Sequence, residues 1–294
     1  MIRTAGRFNP TERGLYFIAL NTPVLERTFD VHRNVLIPIN ELRRPDILNR
    51  FVTEDLNILI DSGIFWLTNE HRKKHNISGN QAMALAPTEI DGFSQLFDNY
   101  VEVCKRFGDN VWGYVELDQG GKKNKIKIRQ RLEKMGLRPI PVYHPIHDGW
   151  DYFDFLAENY DRVCIGNIAH SDRYTRLRIV ATIDERRRKY PHLWVHLLGY
   201  TPNQWLNAFD VDSCDSSTWL AAAVWSGYVE RAAGQLLGPL SRDFQYMLGA
   251  EYDSESGHRK GWRHGVYGAH FVELNWHVAR AQVEAWEKSV SEKR

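Results

Sequence analysis

From about residue 56 the chain alternates short β-branched runs with longer segments of helical period, and this alternation constrains the fold more than any other feature. Strands read as LNILIDSG (56–63), VWGYVELD (111–118), RPIPVYH (138–144), RVCIGNI (162–168), LWVHLLGY (193–200) and DVDSCDS (210–216). Between the first two, Phe93, Leu96, Phe97, Tyr100, Val101 and Cys104 form an i, i+3, i+4 stripe that stops at Gly108. Further helices follow on Ile128, Leu132 and Met135, on Tyr152, Phe153, Leu156 and Tyr160, and on Tyr174, Leu177, Val180 and Ala181. A strand returning parallel to its neighbour needs such a crossover, so the pattern predicts an α/β fold on a parallel sheet.

Upstream, GLYFIAL and NVLIPI add two strands and bring the expected total to eight. Eight strands in a chain of 294 residues point to a closed (β/α)8 barrel, with an open doubly wound sheet as the alternative. The barrel core is expected over about 14–218, within one domain spanning 1–294. Beyond it a helix-rich tail (219–294) is expected, with helices over 232–249 and around Phe271, Leu274, Val278 and Ala281 and a polar loop at 251–265.

Cys104, Cys164 and Cys214 are too few and too scattered for a disulfide framework or a CxxC zinc pattern. The first residues, MIRTAGRFNP, contain no apolar h-region, and no run approaches the length that crosses a bilayer, so the expectation is a cytoplasmic protein without a membrane partner. A net charge of +1 argues against a protein that simply coats nucleic acid. Basic runs at 71–75 (HRKKH), 121–134 and 186–189 (RRRK) leave a local basic face open, against the plainer reading of solvated helix faces. His71 and His75 stand at i, i+4, but the cations between them repel a divalent ion, so no metal is expected there. Tail histidines His258, His264 and His270 are read as facing phosphate or solvent.

In parallel α/β sheets, chemistry gathers at the carboxyl ends of strands. Those ends carry Asp61, Asp118, Tyr143 and His144, Gly166 and Asn167, Gly199 and Tyr200, and Asp212 with Asp215. Each acid alone has a local explanation as a turn former or helix cap. Together, several carboxylates around one pocket suit displacement at an anomeric carbon, where one acid attacks and another moves a proton. On residues alone, a glycoside hydrolase and a base-exchanging glycosyltransferase remain equally open.

The stretch ILIDSGIF (58–65) resembles the TDSGGFQ motif of tRNA-guanine transglycosylases at Asp61, Ser62, Gly63 and Phe65. Independently, VHLLGYTPNQWLNAFDVDSCDSSTW (195–219) resembles that family's H-x-L-G, short helix and V-D-x-x-D pattern at Val211, Asp212 and Asp215. More weakly, YVELDQG and CIGNIA resemble its guanine-contacting strand ends, and order and spacing hold from about 34 to 218. The resemblance implies Asp215 as the nucleophile at C1′ and Asp61 as the general acid and base. It also implies Asp118 as acceptor for guanine N1–H and the exocyclic amine, with Ser62, Gly199 and the Gly166–Asn167 backbone close to the base. Tyr143 and His144 are expected on the pocket wall, and Asp212 in a structural role at the rim.

The departures are specific. The tail holds no cysteine, so the zinc site of the tRNA enzymes is absent and no cofactor is expected. The family's PTR after the nucleophile, which helps hold tRNA, is replaced by SSTW here, its second glycine is Ile64, and its glutamine is Trp66. This combination is most similar to the DNA-guanine transglycosylases of phages and bacteria. It implies a pentosyltransferase exchanging guanine in DNA for a 7-deazaguanine such as 7-cyano-7-deazaguanine. Alternatives are tRNA as substrate or a non-catalytic nucleic-acid-binding barrel, and a homodimer is left open. Trp66, Tyr143, Trp219 and Trp225 are candidates for stacking on an extruded base or wedging the duplex, against the plainer reading of core aromatics.

Overall fold

In the computed structural model, the described residues are 1–19, 33–42, 56–168, 171–200, 209 and 211–216, with the backbone of four short segments beyond them. Eight strands form one sheet: β1 (Leu15–Ala19), β2 (Asn34–Pro38), β3 (Asn57–Asp61), β4 (Gly113–Tyr114), β5 (Val142–Tyr143), β6 (Arg162–Ile165), β7 (Trp194–Leu197) and β8 (Ser213–Ser216). Their order is β4-β3-β2-β1-β8-β7-β6-β5, and every paired neighbour is parallel. Beside the two outer strands, Val115 and Ile140 form an isolated parallel bridge. There Ile140 N donates to Tyr114 O at 2.8 Å and Glu116 N to Ile140 O at 3.0 Å.

Helices α1 (Ile64–His75), α2 (Gly79–Ala84), α3 (Phe93–Phe107), α4 (Gly121–Lys134), α5 (Trp150–Asn159) and α6 (Arg173–Arg187) lie between successive strands. One core joins the helices to the sheet through Ile37, Ile58, Ile60, Phe97, Tyr100, Leu132, Phe153, Leu156 and Val195. A second core occupies the opposite sheet face, with Leu15, Phe17, Leu36, Leu59, Trp112, Val142, Cys164 and Trp194. Side chains alternate across a strand, so β2, β3, β5, β6 and β7 each feed both cores and carry apolar residues on both faces.

The helices expected between the strands from 93 to 181 are present, with two rotations. Val103 is buried on α3 where Val101 is only partly so, and Met135 is exposed after α4. On α6 the buried face is Ile179, Val180, Ile183 and Arg187, not the stripe from Tyr174, because Tyr174 projects from the first turn and is 82% exposed. That turn is fixed by Asp172, whose carboxylate accepts from Tyr174 N and Thr175 N at 3.0 Å each.

The expected helix over 232–249 is not formed throughout. Leu236–Pro239 is a strand (β10) antiparallel to Tyr228–Glu230 (β9). Gly238 is a poor helix former, and Pro239 would break the helical hydrogen-bond ladder. Within the expected polar loop, Tyr252–Asp253 (β11) pairs antiparallel with His258–Arg259 (β12). Trp219, Trp225, His264, His270 and the helix expected around 271–281 lie outside the described residues.

Residues 4–8 run beneath the amino ends of the strands. Ala5 N donates to Arg138 O at 2.8 Å and Arg7 N to Val111 O at 2.7 Å. The Asp161 carboxylate accepts from Thr4 N and Oγ1, while Phe8 packs edge-on against Trp112 and Trp194. Arg162 holds this segment from within the second core: Nε reaches Thr4 Oγ1 at 2.5 Å, Nη1 reaches Trp112 O at 2.8 Å and Nη2 reaches Ala5 O at 2.6 Å. Burial pushes its guanidinium down to about 10, against the opposing pull of Asp161, so it is charged at neutral pH. Arg162→Met is expected to leave the carbonyls of Ala5 and Trp112 without donors. At about 1–3 kcal/mol for each orphaned group, urea unfolding of this variant should show a marked loss of stability and faster exchange of the Ala5 and Arg7 amides.

Candidate active site

The carboxyl ends of β3, β4 and β8 carry three acids whose charges act on one another. Asp61 ends β3, and its Oδ2 accepts from Gly63 N at 3.0 Å. Gly63 opens α1 at φ 73, and a Cβ there would meet Asn40 Oδ1 at 1.5 Å, so the turn that presents Asp61 requires glycine. Burial pushes the Asp61 carboxyl up to about 7, and the charges of Asp118 and Asp215 push the same way against the Gly63 amide. Its side chain keeps partial contact with solvent, although protein surrounds it at longer range.

Asp118 is tied to His144, whose Nε2 lies 2.7 Å from Asp118 Oδ2. Burial raises this carboxyl, but the hydrogen bond and charge of His144, with Lys125 behind, outweigh it and leave its pKa lowered. His144 is anchored through its own amide, which donates to Asp148 Oδ2 at 2.7 Å, and Asp148 is paired with fully buried Lys125. Lys125 Nζ also reaches Val142 O at 3.0 Å. Beside this chain, buried Glu116 accepts from Arg129 Nη1 at 3.0 Å and Val142 N at 2.7 Å, and Arg129 Nη2 donates to Tyr152 Oη at 2.8 Å.

Asp215 lies on β8, and among the described residues one of its oxygens takes both side-chain contacts: Oδ1 is 3.1 Å from His196 Nε2 and accepts from Gly199 N at 3.0 Å. Ser213 Oγ lies 2.8 Å from His196 Nδ1 and accepts from Trp194 Nε1 at 2.8 Å. Asp212 is buried and serves structure. Its Oδ2 meets Arg187 Nη1 at 2.8 Å, its Oδ1 meets Arg13 Nη1 at 3.1 Å, and Val195 N donates to Oδ2 at 2.8 Å.

The structure therefore draws Asp61, Asp118, His144, Gly199 and Asp215 toward one sheet end. It assigns other work to several expected site residues. Tyr143 points to the opposite face and packs against Trp150 and Phe153 in the helix-side core, because its neighbours Val142 and His144 take the other face. Ser62 is buried and its Oγ accepts from Ile64 N at 3.5 Å, a local turn contact. Gly166 is small for a protein neighbour: a Cβ would sit 2.9 Å from Val142 Cγ1 and 3.0 Å from the His144 ring. Asn167 follows in the left-handed region at φ 61. Trp66 is exposed in the first turn of α1, at the same sheet end as Asp61.

Residues the sequence reading missed are His196, Lys125 and Asp148. Lys125 and Arg129 share the α4 face that carries Ile128 and Leu132, a periodicity that marks both as inward despite their charge. The basic runs do not form free faces throughout. Lys73 pairs with Glu70, Lys74 with Asp91, Lys122 with Asp151, Arg186 with Asp154 and Arg188 with Asp184.

His71, His75 and Asp91 do converge. One atom of each is already engaged: the Asp91 amide donates to His71 Nδ1 at 3.1 Å, and Lys74 Nζ and His75 Nε2 both reach Asp91 Oδ2. The Lys74 and His75 contacts hold the Asp91 carboxyl at about 2. No helix among the described residues is long and apolar enough to cross a membrane.

No family model and no curated protein matches the chain. Among solved structures it is similar to a protein from Aquifex aeolicus VF5, at 9% identity over 93% of each chain with a TM-score of 0.52. It is also similar to a 4-hydroxy-2-oxoglutarate aldolase/2-deydro-3-deoxyphosphogluconate aldolase from TTHB1, at 9% identity over 96% of this chain and 99% of that one, with a TM-score of 0.45. The carboxyl transferase domain of Rhizobium etli pyruvate carboxylase aligns at 10% identity over 97% of this chain and 48% of its own, with a TM-score of 0.38. The likeness is one of fold alone.

Two outcomes follow from this geometry. Asp212→Ala removes the buried carboxylate on which Arg187, Arg13 and the Val195 amide converge and is expected to cost about 3–5 kcal/mol in denaturant unfolding. For Asp61 the sign is set by its raised pKa. Between the unfolded value of about 4 and the folded value of about 7, the native state binds the extra proton, so stability falls as pH rises through that window. Asp61→Asn should flatten this segment of a stability–pH curve measured by urea unfolding.

Proposed function

We propose that the chain is a pentosyltransferase that exchanges guanine in DNA for a 7-deazaguanine through a covalent link to Asp215. We also read the parallel sheet as a closed (β/α)8 barrel whose seam is the Val115–Ile140 bridge. The observation that carries the functional reading is the unequal trio of carboxylates: Asp61 poised near neutrality, Asp118 lowered by its histidine, and Asp215 held, among the described residues, by a single oxygen. Carboxyl groups divide into acid and nucleophile when their surroundings separate them in this way.

In the proposed mechanism Asp215 Oδ2 attacks C1′, and the C1′–N9 bond breaks with its electron pair passing to guanine. Neutral Asp61 gives a proton to the departing base. The incoming 7-deazaguanine returns a proton from N9 to the Asp61 carboxylate and attacks C1′, and the bond to Asp215 breaks with its electrons returning to the carboxylate. Two displacements retain configuration at C1′. Asp118 Oδ1, left beside the oxygen bound to His144, accepts from the guanine edge. Exposed Trp66 offers a stacking surface for a base drawn from the duplex. DNA is preferred to tRNA because the family's PTR after the nucleophile, which helps hold tRNA, is replaced here by SSTW.

The test is incorporation of labelled 7-cyano-7-deazaguanine into guanine-containing DNA and, in parallel, tRNA. Asp215→Ala is expected to abolish incorporation and the covalent protein–DNA adduct seen on denaturing gels; exchange at the wild-type rate by this variant overturns the mechanism. Asp61→Asn should lower kcat by about 10²–10⁴. When guanine expulsion limits the rate, wild-type kcat should decline as pH rises through about 7, a limb that Asp61→Asn removes. Incorporation into tRNA alone reassigns the polymer, and release of reducing sugar from an oligosaccharide without base exchange favours a glycoside hydrolase.

A further inference from the structure

Asp215 stands at the end of a buried hydrogen-bond chain whose direction can be read from chemistry. An indole N–H donates and never accepts, so Trp194 Nε1 fixes Ser213 Oγ as its acceptor. Among the described residues, the only other hydrogen-bond partner of that hydroxyl is His196 Nδ1 at 2.8 Å. The hydroxyl is fully buried, and its proton therefore goes to Nδ1. A ring accepting at Nδ1 carries its proton on Nε2, 3.1 Å from Asp215 Oδ1. The opposite tautomer would set the Nε2 lone pair against the carboxylate. Parallel pairing builds the chain: His196 is in register with Ser213, so Trp194 and His196 on β7 face Ser213 and Asp215 on β8 across one sheet face. Phe17, in register with Asp215, lies edge-on to the His196 ring at 5.7 Å and closes the second side.

We propose that Trp194 and Ser213 set the tautomer of His196, and that His196 together with the Gly199 amide binds Asp215 through Oδ1 alone, leaving Oδ2 as the attacking oxygen. This assignment rests on the transglycosylase reading for its purpose but not for its geometry. His196, Ser213 and Trp194 are positioning residues: none meets the substrate, and all act through Asp215. Their effect belongs in kcat, because a carboxylate free to rotate binds DNA as before but meets C1′ in the wrong attitude. A misplacement of this kind costs up to about 10²-fold.

The experiment is ¹⁵N NMR of histidine-labelled protein, with His196 assigned by its loss in His196→Gln, followed by kinetics of Ser213→Ala, Ser213→Thr and Trp194→Phe. Wild-type His196 is expected as the neutral Nε2–H tautomer. Ser213→Ala should mix the tautomers and lower kcat tenfold or more, with KM for DNA within about twofold, and Ser213→Thr should restore both. A wild-type ring protonated at Nδ1 overturns the relay whatever the activity. So does a folded Ser213→Ala variant, judged by its thermal melt, with unchanged kcat. Should the substituted chains fail to fold, the wild-type tautomer alone decides. An Nε2–H ring in a protein that exchanges no base instead removes the transglycosylase reading and leaves the hydrogen-bond chain standing.

Discussion

The ion cluster around Asp212 is the point on which the site depends. Its carboxylate meets Arg187 at the end of α6, Arg13 ahead of β1 and the Val195 amide of β7, while its own carbonyl accepts from Gly14 and Leu15. One residue thus ties β8 to both neighbouring strands and to a helix. Burying that carboxylate is costly, and the cost is offset only while both guanidiniums and the amide are in place. Three residues on, Asp215 inherits the position so fixed. Two acids that look alike in sequence divide their labour: one is consumed by the scaffold so that the other can be presented.

A similar division runs through the buried charges behind Asp118. Lys125 and Arg129 lie on the inner face of α4 and end on Asp148 and Glu116, which in turn hold the backbone before and at His144. The His144 ring leans on Gly166, and its Nε2 secures Asp118. Asp118 is therefore set from behind by a helix whose sequence reads as a solvated basic run. Buried pairs of this kind contribute little net stability against well-packed apolar residues. What they supply here is direction, holding polar groups at the mouth of a sheet whose remaining interior is apolar.

Sequence patterning foretold the parallel sheet, the order of helices and strands, and the strand ends at which Asp61, Asp118 and Asp215 stand. These rest on local periodicity and on the rule that loops follow carboxyl ends. Side-chain direction was harder to foresee. Tyr143 and His144 are adjacent, but a strand sends them to opposite faces, and only pairing with β6 settles which is which. The face of α6 was misjudged because Arg187, a charged residue, belongs to the buried side once Asp212 waits there. His196 was within view in the H-x-L-G stretch, yet its partner Ser213 comes from another strand and is found only through register. At Leu236–Pro239 the glycine and proline argue against a helix, which a count of apolar residues overlooks.

The segment beneath the sheet has a bearing on how the chain folds. Thr4 and Asp161, and Thr4 and Arg162, meet across more than 150 residues. At about 5–20 residues per second of synthesis, Thr4 emerges on the order of ten seconds before either partner exists. Contacts this distant in sequence slow folding, since their loop must close before they contribute. Phe8 and Arg162 would then be among the last groups to leave water, and the floor of the sheet would be laid after its walls.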